Sequence, residues 1–178
     1  MLHLTTNKLD KVTADVIVIP VCEDEMIYSS RDIVELIEQA KSFAEFQGRK
    51  ADAITLYDMP GVKPKRVSFV GLGKVSDVKP ESFRRLAGSG VRNAMKKGFQ
   101  KIVFIAPDPD RWTQPIESVL AALLEGACLG NHLFDAYKKE KKTKPLKKIS
   151  VRTTGRLVRS CRNLPSRIRT ICEGTLLA

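Results

Sequence analysis

The chain has 178 residues, 43% of them hydrophobic and 29% charged, a balance that suits one globular domain with a full core. Its longest apolar runs, such as Val16-Ile17-Val18-Ile19, are too short to span a bilayer, and the opening Met1-Leu2-His3-Leu4-Thr5-Thr6-Asn7 has neither the basic start nor the apolar stretch of a secretory signal. The net charge of +11 is concentrated: residues 1–137 hold 18 basic and 18 acidic side chains, 138–169 hold 13 basic ones against Glu140, and Glu173 supplies the last acid. The expectation is a cytoplasmic protein with no membrane partner, neutral over three quarters of its length.

Residues 2–5 form a short strand candidate, and 16–21 a stronger one, apolar on both faces as in a strand covered by two helical layers. Ile33, Leu36, Ile37, Ala40 and Ala44 then recur at helical spacing, with Ser29 or Ser30 placed to cap. Two β-branched runs follow, 54–57 and 66–70, separated by Met59-Pro60-Gly61-Val62-Lys63-Pro64, which predicts a hairpin. A second helix carries Phe83, Leu86, Ala87, Val91, Ala94 and Met95, with Pro80 near its start and Gly98 at its end. A buried strand is expected over 101–106, and a third helix on Ile116, Val119, Leu120, Leu123, Leu124 and Ala127, running on to about Lys138. The last elements are a strand over 148–151 and a helix on Ile168, Ile171, Cys172 and Thr175. Strands and helices in alternation with one hairpin predict an α/β fold, a three-layer α/β/α sandwich with a mixed central sheet. The chain closes on Thr175-Leu176-Leu177-Ala178, apolar and still in helical register with no capping residue, which reads as a helix leading into further chain.

Candidate chemistry is sparse. Gly71-Leu72-Gly73-Lys74 follows a strand, but a phosphate loop needs glycine where Ser68 stands and a hydroxyl where Val75 stands, so a tight turn explains it better. The four cysteines, Cys22, Cys128, Cys161 and Cys172, include no C-x-x-C pair, and His3 and His132 are 129 positions apart, so no zinc site is expected. Glu23-Asp24-Glu25 reads as an acidic loop, and Cys128 with His132 as one packed helix face. No catalytic, cofactor-binding or metal-binding residue is assigned. The remaining candidates are Lys138, Lys139, Lys141, Lys142, Lys144, Lys147 and Lys148, a basic segment able to meet a phosphate backbone through counterion release. No aromatic residue lies within it for base stacking.

The segment Glu125-Gly126-Ala127-Cys128-Leu129-Gly130-Asn131-His132-Leu133-Phe134-Asp135-Ala136-Tyr137-Lys138 resembles a helix of the leucyl (cytosol) aminopeptidase family, whose pattern is EGALLGNYRFDRYK. Cys128, His132, Leu133 and Ala136 depart from it. Two further stretches agree in order: Arg66-Val67-Ser68-Phe69-Val70-Gly71-Leu72-Gly73-Lys74, similar to the family's strand and glycine turn, and Ile171-Cys172-Glu173-Gly174-Thr175-Leu176-Leu177-Ala178, similar to the helix before its A-R-D-L-V-N segment. The resemblance runs from about Ala14 to the last residue. It implies a non-catalytic N-terminal domain with a macro-domain-like fold over residues 1–160. An interdomain helix over 161–178 would lead to a peptidase domain. That domain, in the parent, would hold two divalent metals (manganese or zinc), assemble as a homo-hexamer and release N-terminal residues from peptides; some bacterial members also bind DNA. Every catalytic residue of the family falls beyond Ala178. Macro domains also suggest ADP-ribose. Ala14-Asp15-Val16-Ile17-Val18-Ile19-Pro20 resembles their ligand strand, yet Val21 and Cys22 stand where two asparagines are usual, and 26–41 contains no glycine.

Overall fold

The computed structural model describes residues 1–132 and 144–177. Six strands form one sheet: β1 (Leu2–Thr5), β2 (Val16–Cys22), β3 (Ala53–Tyr57), β4 (Arg66–Gly73), β5 (Lys101–Ile105) and β6 (Lys148–Arg152). Their order is β1-β6-β5-β2-β4-β3, parallel throughout except for β3, which returns antiparallel on β4 as the predicted hairpin. The helices are α1 (Arg31–Lys41), α2 (Pro80–Lys96), α3 (Ile116–Gly130), α4 (Gly155–Ser160) and α5 (Leu164–Leu177). The mixed α/β/α sandwich expected from the alternation is the architecture found.

Register decides what each face of the sheet meets, because partners in register point the same way. Ile149, Ile102 and Val16 share a face, as do Val151, Phe104, Val18 and Ser68. Helices α2, α3 and α5 lie on that side; a Cβ added at Gly90 of α2 would meet the Phe104 ring at 3.0 Å. On the other face Phe69 meets Phe46, just beyond α1, with ring centroids 6.1 Å apart. Helix α1 turns Ile33, Leu36, Ile37 and Ala40 into the core. All seven residues of β2 are buried, as a central strand covered on both faces requires.

Several boundaries differ from the sequence reading. Helix α1 stops at Lys41, short of Ala44. Ser30 is its N-cap, but the hydroxyl bonds Asp32 instead of capping, and the Asp108 carboxylate accepts the Ser29 N–H at 2.7 Å. Helix α3 ends at Gly130, with Asn131 as its C-cap and the Asn131 side chain bonded to Leu146. Of the extension predicted to about Lys138, 133–138 lies outside the described residues. The six-residue α4 was not foreseen, being too short for periodicity to register.

Candidate functional site

The most specific sequence motif is 125–138, of which 133–138 lies outside the described residues; its first part, Glu125–Gly130, packs α3 against α2. Glu125 on α3 accepts both the Nε–H (3.1 Å) and a terminal N–H (2.9 Å) of Arg84 on α2. One position on, a Cβ at Gly126 would stand 2.0 Å from the Arg84 carbonyl oxygen, and one at Gly130 2.7 Å from that of Gly88. The two backbones therefore touch, and any side chain at Gly126 would force them apart. Asn131 follows as a two-bond clamp. Its amide donates to the Leu146 carbonyl at 3.1 Å, and its oxygen accepts the Leu146 N–H at 2.7 Å. This fixes the chain entering β6. Cys128 is half-buried on the same helix, beside Cys172 of α5, whose thiol is pushed up to about 12 by burial first and by Cys128 second.

The glycines read from the sequence as a tight turn lie instead at the end of β4 itself, where their role is equally structural. The Gly71 N–H donates to Asp52 O at 2.8 Å and the Gly73 N–H to Gly48 O at 3.0 Å. A Cβ at Gly71 would fall 2.0 Å from Arg49 O. Backbone donors that a phosphate loop would aim at its ligand are thus used within the fold. The acidic loop is also engaged: Asp24 accepts the Val75 N–H at 2.9 Å, and Glu23 lies 3.9 Å from Arg49. Among the described residues no group of three or more His, Cys, Asp or Glu side chains could hold a metal ion.

The C-terminal ends of parallel strands are where an α/β sheet usually takes a ligand. Here the chain leaving β2 folds back over them. Ile27 and Tyr28 are 1% exposed, and the Tyr28 hydroxyl donates to Pro20 O at 2.8 Å. The Asp108 N–H, in the loop leaving β5, donates to Ile27 O at 3.0 Å. Trp112 in the same loop is buried edge-on against Phe83 at 5.4 Å. Large side chains thus pack where the ADP-ribose comparison would look for a glycine-rich loop.

The opposite, N-terminal edge of the sheet gathers cations. Of the seven candidate lysines, Lys144, Lys147 and Lys148 are exposed; Lys138, Lys139, Lys141 and Lys142 lie outside the described residues. The Lys147 and Lys148 N–H groups both donate to Gln100 O, and Lys148 is in register with Lys101. Lys96 and Lys97 end α2 just before this point. The sequence did not show that these residues of the neutral region join the basic segment. The local field is felt by His3 on β1, whose pKa is held below 6.5 by burial first, then by Lys148 and the N-terminal amine.

What the geometry defines is an α/β/α domain whose most distinctive residues hold helices and strands together. The class of protein it falls in, by its fold, is the three-layer α/β/α sandwich with a mixed sheet. Specifically, the chain belongs to the cytosol aminopeptidase family, N-terminal domain, whose sequence profile matches residues 20–141. Similar curated proteins include the "Probable cytosol aminopeptidase" of Alkaliphilus oremlandii, 27% identical over 143 residues, covering 77% of this chain and 28% of that protein. Another, of the same name, from Afipia carboxidovorans is 32% identical over 110 residues, covering 62% and 21%. The matched stretch is therefore about a quarter of these relatives' length. Among solved structures, a tomato leucine aminopeptidase variant superposes with a TM-score of 0.73 at 19% identity, covering 99% of this chain and 36% of that one. A bottromycin maturation enzyme gives 0.61 at 20% identity, over 92% and 31%.

Proposed function

We propose that the chain is the non-catalytic, regulatory or assembly domain of a longer cytoplasmic, metal-dependent leucyl aminopeptidase, with a macro-domain-like fold over 1–160. The observation that supports this most is the family match over residues 20–141, in relatives about four times as long as the matched stretch. In such a parent the peptidase domain would carry two manganese or zinc ions and remove N-terminal residues by metal-activated water attack. The parent would assemble as a homo-hexamer. Residues 161–178, including α5, would lead into the peptidase domain. Ile168 and Cys172 bury one side of α5 on the domain, while Ile171 is 50% exposed and offers an apolar contact to a following domain. The test compares this 178-residue chain with the polypeptide encoded by the whole native reading frame, on an aminoacyl chromogenic substrate with manganese. Activity in the longer protein and background in the chain are expected. Turnover by the purified chain would overturn the reading.

A second reading, a DNA-binding module, is favoured by the cationic sheet edge. Lys144, Lys147 and Lys148 are exposed there beside Lys96, Lys97 and Lys101, with Lys138, Lys139, Lys141 and Lys142 adjoining in sequence. Contact would be to phosphate and strongly salt-dependent. Fluorescence anisotropy with duplex DNA at two salt concentrations tests it: replacing Lys144, Lys147, Lys148 and Lys101 by Gln should abolish binding and its salt slope. Unchanged affinity would exclude this edge.

A further inference from the structure

Helix α2 is the last helix on its side of the sheet among the described residues. It leans on β5, where Gly90 lets it approach Phe104. Beyond it, no helix among the described residues covers β4 and β3 on this side, and a groove of about 740 Å³ opens between α2 and the sheet. That volume is typical of sites for small organic ligands. The floor is apolar, built from Val16, Val18, Val70, Leu86 and Ala94. Small polar groups flank it: Thr55 and Ser68 on the sheet, their hydroxyls 3.4 Å apart, and Ser89 and Asn93 on α2.

The rim is charged, and mostly of one sign. Lys50, Lys79 and Arg85 line the groove toward the start of α2, and Arg66, Lys96 and Lys97 toward its end. Against these six stand Asp77 and Glu81, and Glu81 is already bonded to Arg84 and Arg85. Arg66 is the best placed. Its guanidinium carbon sits 4.8 Å from the Phe99 ring centre and 5.9 Å from that of Tyr57. Two aromatic faces thus hold the plane, and no carboxylate lies within ion-pair distance of it among the described residues. A held, unpaired guanidinium at the mouth of an apolar groove suits a carboxylate or phosphate, which it can meet with two parallel N–H bonds.

We propose that the groove between α2, β4 and β3 binds a small elongated amphipathic anion, its head group on Arg66 with Lys96 and Lys97 and its apolar stem along Val16, Val18 and Val70. This does not rest on the peptidase reading, and it shares only Lys96 and Lys97 with the DNA reading. The cations match the head, the floor matches the stem, and neither alone would need both.

Isothermal titration calorimetry on the 178-residue chain, with decanoate, decanol and butyrate as probes, is the test. Decanoate should bind saturably at one site, with decanol and butyrate at least tenfold weaker. Arg66→Gln should weaken decanoate about tenfold, and Lys96→Gln with Lys97→Gln severalfold. Ser68→Phe, which fills the groove, should remove binding. Decyl phosphate in place of decanoate distinguishes phosphate from carboxylate head groups; tight binding of either supports the site. Circular dichroism confirms that each variant is folded, and Arg66→Lys, which keeps the charge, should restore part of the affinity. Equal binding of decanol and decanoate, full binding by the Ser68→Phe variant, or no saturable binding of any probe would overturn the proposal. The last outcome would mean that the face is apolar for a reason other than a small anion.

Discussion

The two sides of α2 are built on opposite rules. Toward α3 the helix presents Arg84 and Gly88, and the partner answers with Glu125, Gly126 and Gly130 so closely that no Cβ fits at Gly126. Toward β4 and β3 it presents Ser89 and Asn93, both exposed, across an open groove. One helix thus has a side where a single methyl group is excluded and a side with room for a ligand. The family-like residues Glu125, Gly126 and Gly130 serve packing on the first side, while the second side leaves almost no trace in the sequence.

The sharpest way to break this contrast is Gly126→Ala. The added Cβ would collide with the Arg84 carbonyl oxygen at 2.0 Å, so the helices must separate, at a cost of about 3 kcal/mol. For a chain of this size Tm should fall by roughly 6–12 °C in a thermal melt. Ser89→Ala, on the other side of the same helix, should shift stability by no more than about 0.5 kcal/mol. Equal losses in the two variants would show that the sides do not differ as described.

Asn131→Ala leaves the Leu146 N–H and carbonyl without their partner. Urea denaturation should show a loss of about 1–2 kcal/mol. Glu125→Gln keeps the shape and removes the charge that meets Arg84, both groups being about a third exposed. It should cost about 1 kcal/mol or less, and less still in high salt.

Thiol reactivity sharpens the comparison further. Burial first pushes both the Cys22 and Cys172 thiols up to about 12. Thiolate is the reactive form, so both should resist alkylation of the native protein near pH 8. Half-buried Cys161, outside the close-packed layer, should be labelled before them, as peptide mass analysis would show. The smallest effect concerns His3. Its folded pKa lies below 6.5, so the fold disfavours its protonation. That contribution is full above the unfolded pKa and is lost as pH falls toward the folded one. His3→Gln should flatten the stability curve as pH falls below about 6.5, which denaturation at a series of pH values would show.

Much of the fold was legible in the residues. The apolar run at 16–21 and the alternation of elements gave a covered central strand and an α/β/α order, because side-chain periodicity is a local record of which faces are buried. The hairpin at 54–70 was marked by its proline and glycine residues. The six-residue α4 is too short for periodicity to mark, and nothing local in the sequence shows that Asn131, at the end of α3, bonds Leu146, fifteen positions on.

What the sequence by itself determined is therefore the class of most elements, the sheet's covered centre and, through the motif at 125–138, the resemblance to the family. The tertiary structure alone decided what those residues do. It showed that Gly71, Gly126 and Gly130 answer to a backbone approaching from elsewhere in the chain. It brought Lys96, Lys97 and Lys101 up to the basic segment. It also placed Arg66, from a strand's first position, between Tyr57 and Phe99 at the mouth of a groove. The physical reason is the same in each case. Periodicity and turn chemistry act between near neighbours along the chain, whereas close approach, shared fields and concavities arise only when segments far apart in sequence meet in space.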